Sequence, residues 1–210
     1  MKTILCYGDS NTYGYNPANG RRFSEIIRWT ARLQALLGEG YKVIEEGCNG
    51  RTTIFPQPDE PWKNGLPYLR PCLNSHKPVD VVVLMLGTND LKDVYNKSAA
   101  SIAGGAEVLV DTIQEFTLLK QGYEAAVILV SPPELGEKMR ISPFSDQFGD
   151  EAIKKSKELA RLYQAVAEEK GCVFLNAARY VKASDADSLH LDASGHRILA
   201  EQIYDLVSGL

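Results

Sequence analysis

The sequence is short of cysteine, of histidine, of basic charge and of long apolar runs. Its 210 residues hold four cysteines, Cys6, Cys48, Cys72 and Cys172, with no C-x-x-C pair among them. That scatter fits neither a disulfide framework nor a zinc site, and the expectation is a reduced, metal-free, cytoplasmic protein. No apolar run approaches the ~20 residues of a bilayer-spanning helix. The opening MKTILCYGDSNTYG turns polar after Tyr7, unlike a signal peptide. The net charge is −4, which disfavours a nucleic-acid partner because phosphate backbones attract a basic face. Neither G-x-G-x-x-G nor G-x-x-x-x-G-K-[ST] occurs, so the usual phosphate-cradling loops are missing. What remains is ordinary for a globular chain. Hydrophobic residues make up 44% and charged residues 24%, which excludes wholesale disorder. The length suits a single domain over residues 1–210.

Five apolar runs read as strands: 4–7, 41–46, 79–86, 125–130 and 172–175. They are continuous rather than alternating, the mark of strands buried on both faces of a parallel sheet. Between them, residues 23–37, 98–120, 151–169 and 194–208 carry apolar side chains near the 3.6-residue period of a helix. The alternation predicts an α/β domain with a central parallel sheet and helices on both faces. Two segments break the rhythm. Residues 52–71 contain Pro56, Pro58, Pro61, Pro67 and Pro71, and residues 131–150 contain three more prolines. Neither is expected to be a long regular helix throughout. Their aromatics Trp62, Tyr68, Phe144 and Phe148 suit either an interface between subunits or a lid over a pocket.

Ligands of open parallel sheets bind beyond the carboxyl ends of the strands. After the first strand comes Gly8-Asp9-Ser10-Asn11. Ser10 is either a nucleophile awaiting a base or a simple helix cap. After the second comes Gly47-Cys48-Asn49-Gly50-Arg51, whose backbone amides could hold an oxyanion or merely form a turn. Cys48 has no base beside it in sequence and reads as a spectator. After the third comes Gly87-Thr88-Asn89-Asp90, where Asn89 offers an amide donor or an Asx turn. Before the last helix stands Asp187-Ser188-Leu189-His190, a carboxylate three residues from an imidazole. Of the other histidines, His196 falls within the last helix as a structural or solvated residue. His76 is expected at a helix end remote from the carboxyl edge of the sheet.

The four blocks, in this order, resemble the SGNH hydrolases, also called GDSL-type esterases, with Ser10, Gly50, Asn89 and His190 in the four naming positions. VIEEGCNGRTT, YLRPCLNSHKPVDVVVLMLGTNDLK and ILVSPP resemble the bacterial arylesterase and acyltransferase branch over essentially the whole chain. The resemblance implies a flavodoxin-like three-layer α/β/α sandwich on a five-stranded parallel sheet, no cofactor, and a homo-oligomer that can reach an octamer. It implies Ser10 as nucleophile, His190 as base, Asp187 as its orienting partner, and an oxyanion hole from Ser10, Gly50 and Asn89. Asn11 stands where the family more often has leucine, and Tyr13 and Tyr15 stand where acyltransferase-like members carry tryptophans. All three are expected to contact substrate. The expected reaction is hydrolysis of a small acyl or aryl ester through an acyl-enzyme, with transfer to an alcohol as a variant. Deacetylation of a sugar or glycan is the alternative, and a non-catalytic flavodoxin-like binding domain is a remote one. A histidine base also implies that activity falls at acid pH.

Overall fold

The computed structural model describes residues 1–57 and 59–210; Pro58, one of the prolines of the 52–71 segment, lies outside the described residues. Five strands, β1 (Lys2–Gly8), β2 (Tyr41–Gly47), β3 (Val81–Met85), β4 (Ala126–Ser131) and β5 (Val173–Asn176), form one sheet in the order β2-β1-β3-β4-β5. Every neighbouring pair is parallel. The helices are α1 (Ser10–Tyr13), α2 (Trp29–Leu37), α3 (Gly65–His76), α4 (Ala99–Gln121), α5 (Asp150–Lys170) and α6 (Ala193–Ser208).

The continuous apolar runs are explained by burial on both sides. Leu5, Tyr7, Val82, Leu84 and Leu129 pack against Leu73 of α3, Ile113 of α4 and Leu159 of α5. The alternate residues Ile4, Cys6, Val83, Met85 and Ile128 pack against Trp29 of α2 and Ile203 of α6. Three layers result, as the family resemblance implied. Each aliphatic side chain taken from water contributes roughly 1.5–3 kcal/mol. β3 is buried at every position, so it sits at the centre of both cores.

Two helices differ from the expectation. The predicted helix over 23–37 begins only at Trp29, because Arg28 is extended at φ −57°, ψ 134°. Its guanidinium turns inward to the Phe23 carbonyl and to Glu45, and Ile26 is left 79% exposed rather than on a buried face. The proline-rich segment 52–71 also hides the start of α3. Asn64 caps that helix by accepting from the Leu66 amide. Pro67 lies in the first turn, where its missing N–H has no helical partner anyway, and only Pro71 interrupts the ladder. Burial of Leu69, Cys72 and Leu73 outweighs that loss. Segment 132–149 contains only a short 3-10 turn, Glu137–Ile141.

The strand order reverses direction at β1. The chain goes from β1 to β2 on one side, then returns to place β3 on the other. The carboxyl ends of β1 and β3 therefore flank the topological switch point, the usual ligand position in such sheets.

Candidate active site

β1 ends at Gly8, and Asp9 caps α1 by accepting the Asn11 amide at 2.9 Å. Ser10 is thus the first residue of the helix and not its cap. Its hydroxyl is 2.9 Å from Nε2 of His190. Nδ1 of His190 is 2.7 Å from Oδ2 of Asp187. The other oxygen of Asp187 accepts the amides of Leu189 and His190, at 3.0 and 2.9 Å. Three residues suffice for this because Ser188 takes the left-handed conformation at φ 58°, folding the turn back on itself.

Burial pushes the Asp187 carboxyl up, but hydrogen bonds and charge from His190 and the two amides outweigh it, and the carboxyl stays below its usual range. An ionised carboxylate only accepts hydrogen bonds, so Nδ1 of His190 carries the proton. Nε2 of the neutral ring is left to accept from Ser10. Tyr15 lies against the same imidazole, with ring centroids 4.1 Å apart and planes 30° from parallel. Phe144 meets it edge-on at 5.5 Å.

Ser10, Gly50 and Asn89 line one cavity of about 440 Å³ together with His190. Gly50 has φ 79°, and a Cβ there would sit 2.8 Å from Cε of Lys63, so no other residue fits without strain. Asn89 Nδ2 donates one hydrogen to the Arg51 carbonyl at 3.1 Å. Its second hydrogen has no acceptor among the described residues. Tyr15, Phe144 and Leu189 give the cavity apolar walls, and Trp62, 61% exposed, stands at its rim. Both irregular segments thus reach the cavity, and Phe148 is buried there rather than exposed. Glu60, Lys63, Lys92 and Gln147 also line an adjoining hollow of about 980 Å³. A further hollow of about 660 Å³ beside Ile26 and Arg197 contains none of these residues.

Several expectations need correction. Asn11 does not line the cavity: it is buried, and its Oδ1 accepts the Leu191 amide at 2.9 Å. Tyr13 also points elsewhere, under the Arg22 guanidinium at 4.6 Å from its ring centroid. Only Tyr15 of the three reaches the cavity. His76 does end a helix, but it is not remote from the sheet's carboxyl edge. Its Nε2 is 2.9 Å from Oε1 of Glu46, the penultimate residue of β2. Cys72, one helical turn before His76, joins them, and the three donor atoms lie within 4.8 Å of one another. This is the grouping among the described residues whose chemistry could accept a metal ion, and it shares no residue with the Ser10 cavity. The C-x-x-x-H spacing was its signal in the sequence. His196 is buried, with Nδ1 accepting the Trp29 amide at 3.3 Å. No described helix is long and apolar enough to cross a membrane.

A serine, an imidazole and a carboxylate in series at the switch point of a parallel sheet define a site built for acyl transfer. The chain matches the model of the GDSL-like lipase/acylhydrolase family over residues 6–198, and it belongs to that family of ester hydrolases. Among solved structures it is similar to Est24, a carbohydrate acetylesterase from Sinorhizobium meliloti, at 35% identity and a TM-score of 0.93, over 100% of this chain and 99% of that one. It is equally similar to the aryl esterase of M. smegmatis, at 35% identity and TM-score 0.93 over 100% of both chains. An acetylxylan esterase of Xylanibacter ruminicola is 27% identical over 95% of this chain, which spans only 42% of that protein.

Proposed function

We propose that the chain hydrolyses small short-chain acyl or aryl esters through an acyl-enzyme on Ser10. The observation that carries this is the unbroken chain from Ser10 Oγ through His190 to Asp187. His190 takes the Ser10 proton as the oxygen attacks the ester carbonyl. The tetrahedral oxyanion meets the amides of Ser10 and Gly50 and the free hydrogen of Asn89. The imidazolium, held by Asp187, then protonates the departing alcohol. Water, or a second alcohol, attacks the acyl-enzyme by the reverse path. The apolar walls and the 440 Å³ volume favour a short acyl group. The test is hydrolysis of p-nitrophenyl acetate and longer acyl esters by wild type and Ser10→Ala. Activity should vanish with Ser10 and fall with chain length; equal rates in the two proteins would overturn the mechanism.

Deacetylation of a carbohydrate is the second reading. It is favoured by the exposed Trp62 at the rim, a stacking face for a sugar ring, and by Gln57, Tyr95 and Gln147 in the adjoining hollow. Two of the similar proteins are named for acetylated carbohydrate substrates. Acetylated xylan and acetylated glucosamine compared with aryl acetates separate the two readings.

Self-association is proposed as well. Val94 and Ile141 are 78% and 83% exposed, and such apolar side chains favour contact with another subunit. A clean monomer by mass in solution would overturn this.

A further inference from the structure

Three charged side chains other than the triad line the Ser10 cavity: Glu60, Lys63 and Lys92. Glu60 and Lys63 form an ion pair with each other. The stem of Lys63 lies over Gly50, close to the candidate oxyanion hole. Lys92 is half-buried, and its ammonium has no ion pair or hydrogen bond among the described residues. That ammonium stands 6.0 Å from the Phe148 ring centroid.

The groups that face Lys92 do not neutralise it. Lys63 repels it. Glu60 is engaged by Lys63, Asp9 is buried at the cap of α1, and Asp146 is an exposed loop residue. None of the three carboxylates comes within ion-pair distance of it. Burial and Lys63 together hold the Lys92 ammonium below its usual range, as befits a cation lacking a counter-charge. Burying a charge without a partner is unfavourable, and a ligand that supplies the opposite charge recovers that loss.

Resting on the esterase reading of Ser10, we propose that Lys92 is the specificity residue of the site and receives a carboxylate carried by the substrate, so that the preferred esters are anions. The carboxylate can belong to either half of the ester, and two pairs of probes tell the halves apart. For the alcohol half, p-acetoxybenzoate is compared with its neutral methyl ester. For the acyl half, mono-p-nitrophenyl glutarate is compared with p-nitrophenyl butyrate. The quantity read is the ratio of kcat/KM, anionic over neutral, for each pair at low salt, in wild type, Lys92→Met and Lys92→Arg.

Lys92→Met should lower the ratio about tenfold for one pair, the size of one charge-assisted hydrogen bond, and mainly through KM. Lys92→Arg should keep most of the wild-type ratio. The pair that responds shows which half carries the carboxylate. Ratios for both pairs that are the same in wild type and Lys92→Met overturn the inference. Wild type that hydrolyses neither the anionic nor the neutral esters would instead defeat the esterase reading itself. The neutral esters also report that each variant is folded and its triad intact.

Discussion

The ring of Tyr15 is stacked on the ring of His190 at 4.1 Å, so one face of the imidazole is covered by an aromatic before any substrate arrives. An aromatic face favours the protonated ring over the neutral one, because its quadrupole attracts a cation. In the mechanism proposed above, imidazolium is the form His190 adopts as the ester is attacked. In that mechanism the contact would act on the transition state as well as holding the ring in place.

Removing that face should slow turnover. Aromatic pairs of this kind are worth about 0.5–1.5 kcal/mol, so Tyr15→Ala should lower kcat by roughly 2- to 12-fold. Tyr15→Phe keeps the ring and should stay near wild type. Steady-state kinetics on one aryl acetate checks both. An alanine variant with unchanged kcat would remove Tyr15 from the mechanism.

Asn89 should matter at the oxyanion. Its free amide hydrogen shares the cavity with Ser10 and Gly50. Asn89→Ala should reduce kcat by roughly 10²- to 10³-fold with little change in KM, the effect of losing one oxyanion donor. A loss confined to KM would show that Asn89 binds the ground state instead.

The carboxylate of Asp187 fixes which nitrogen of His190 carries the proton. Asp187→Asn preserves shape but can donate where the carboxylate accepts, which favours the wrong tautomer. The expected loss in kcat is roughly 10⁴-fold. The same variant should fold, since Asn Oδ1 still accepts the amides of Leu189 and His190. Circular dichroism alongside kinetics separates the two effects.

Buried titratable groups should push stability in opposite directions with pH. Burial raises Asp90 from an ordinary 3.8 to about 6, against the hydrogen bonds from Thr53. Its contribution is therefore full below 3.8 and is lost as pH rises through 6. Burial lowers His196 from an ordinary 6.5 to about 4. Its contribution is present above 6.5 and is lost as pH falls through 4. Urea midpoints across this range should show Asp90→Asn gaining on wild type as pH rises, and His196→Asn gaining as pH falls. Parallel curves for all three proteins would refute both assignments.

The strands were legible because burial on both faces leaves unbroken apolar runs such as Val81–Met85. Helix α3 was legible only at its end, where His76 was expected, since Pro67 and Pro71 masked the start of a segment whose burial outweighs one missing hydrogen bond. The start of α2 was misread because periodicity placed Ile26 on an apolar face, while Arg28 bends the chain to reach Glu45. In the site, the serine, the imidazole and the carboxylate carried local signals at strand ends and in the D-x-x-H spacing. The partners of Asn11, Tyr15 and Phe144 did not. Asn11 bonds a residue 180 positions away, and no local pattern announces such a contact.

That bond between Asn11 and Leu191 ties the segment bearing Ser10 directly to the one bearing His190. Ser10 and His190 thus sit on two short pieces of backbone clamped to each other, while the cavity rim comes from residues 60–63 and 144–148. The 144–148 segment touches that pair through Phe144, whose ring meets His190 edge-on, so a change of diet that starts at residues 60–63 leaves the proton path aligned more readily than one that starts at Phe144.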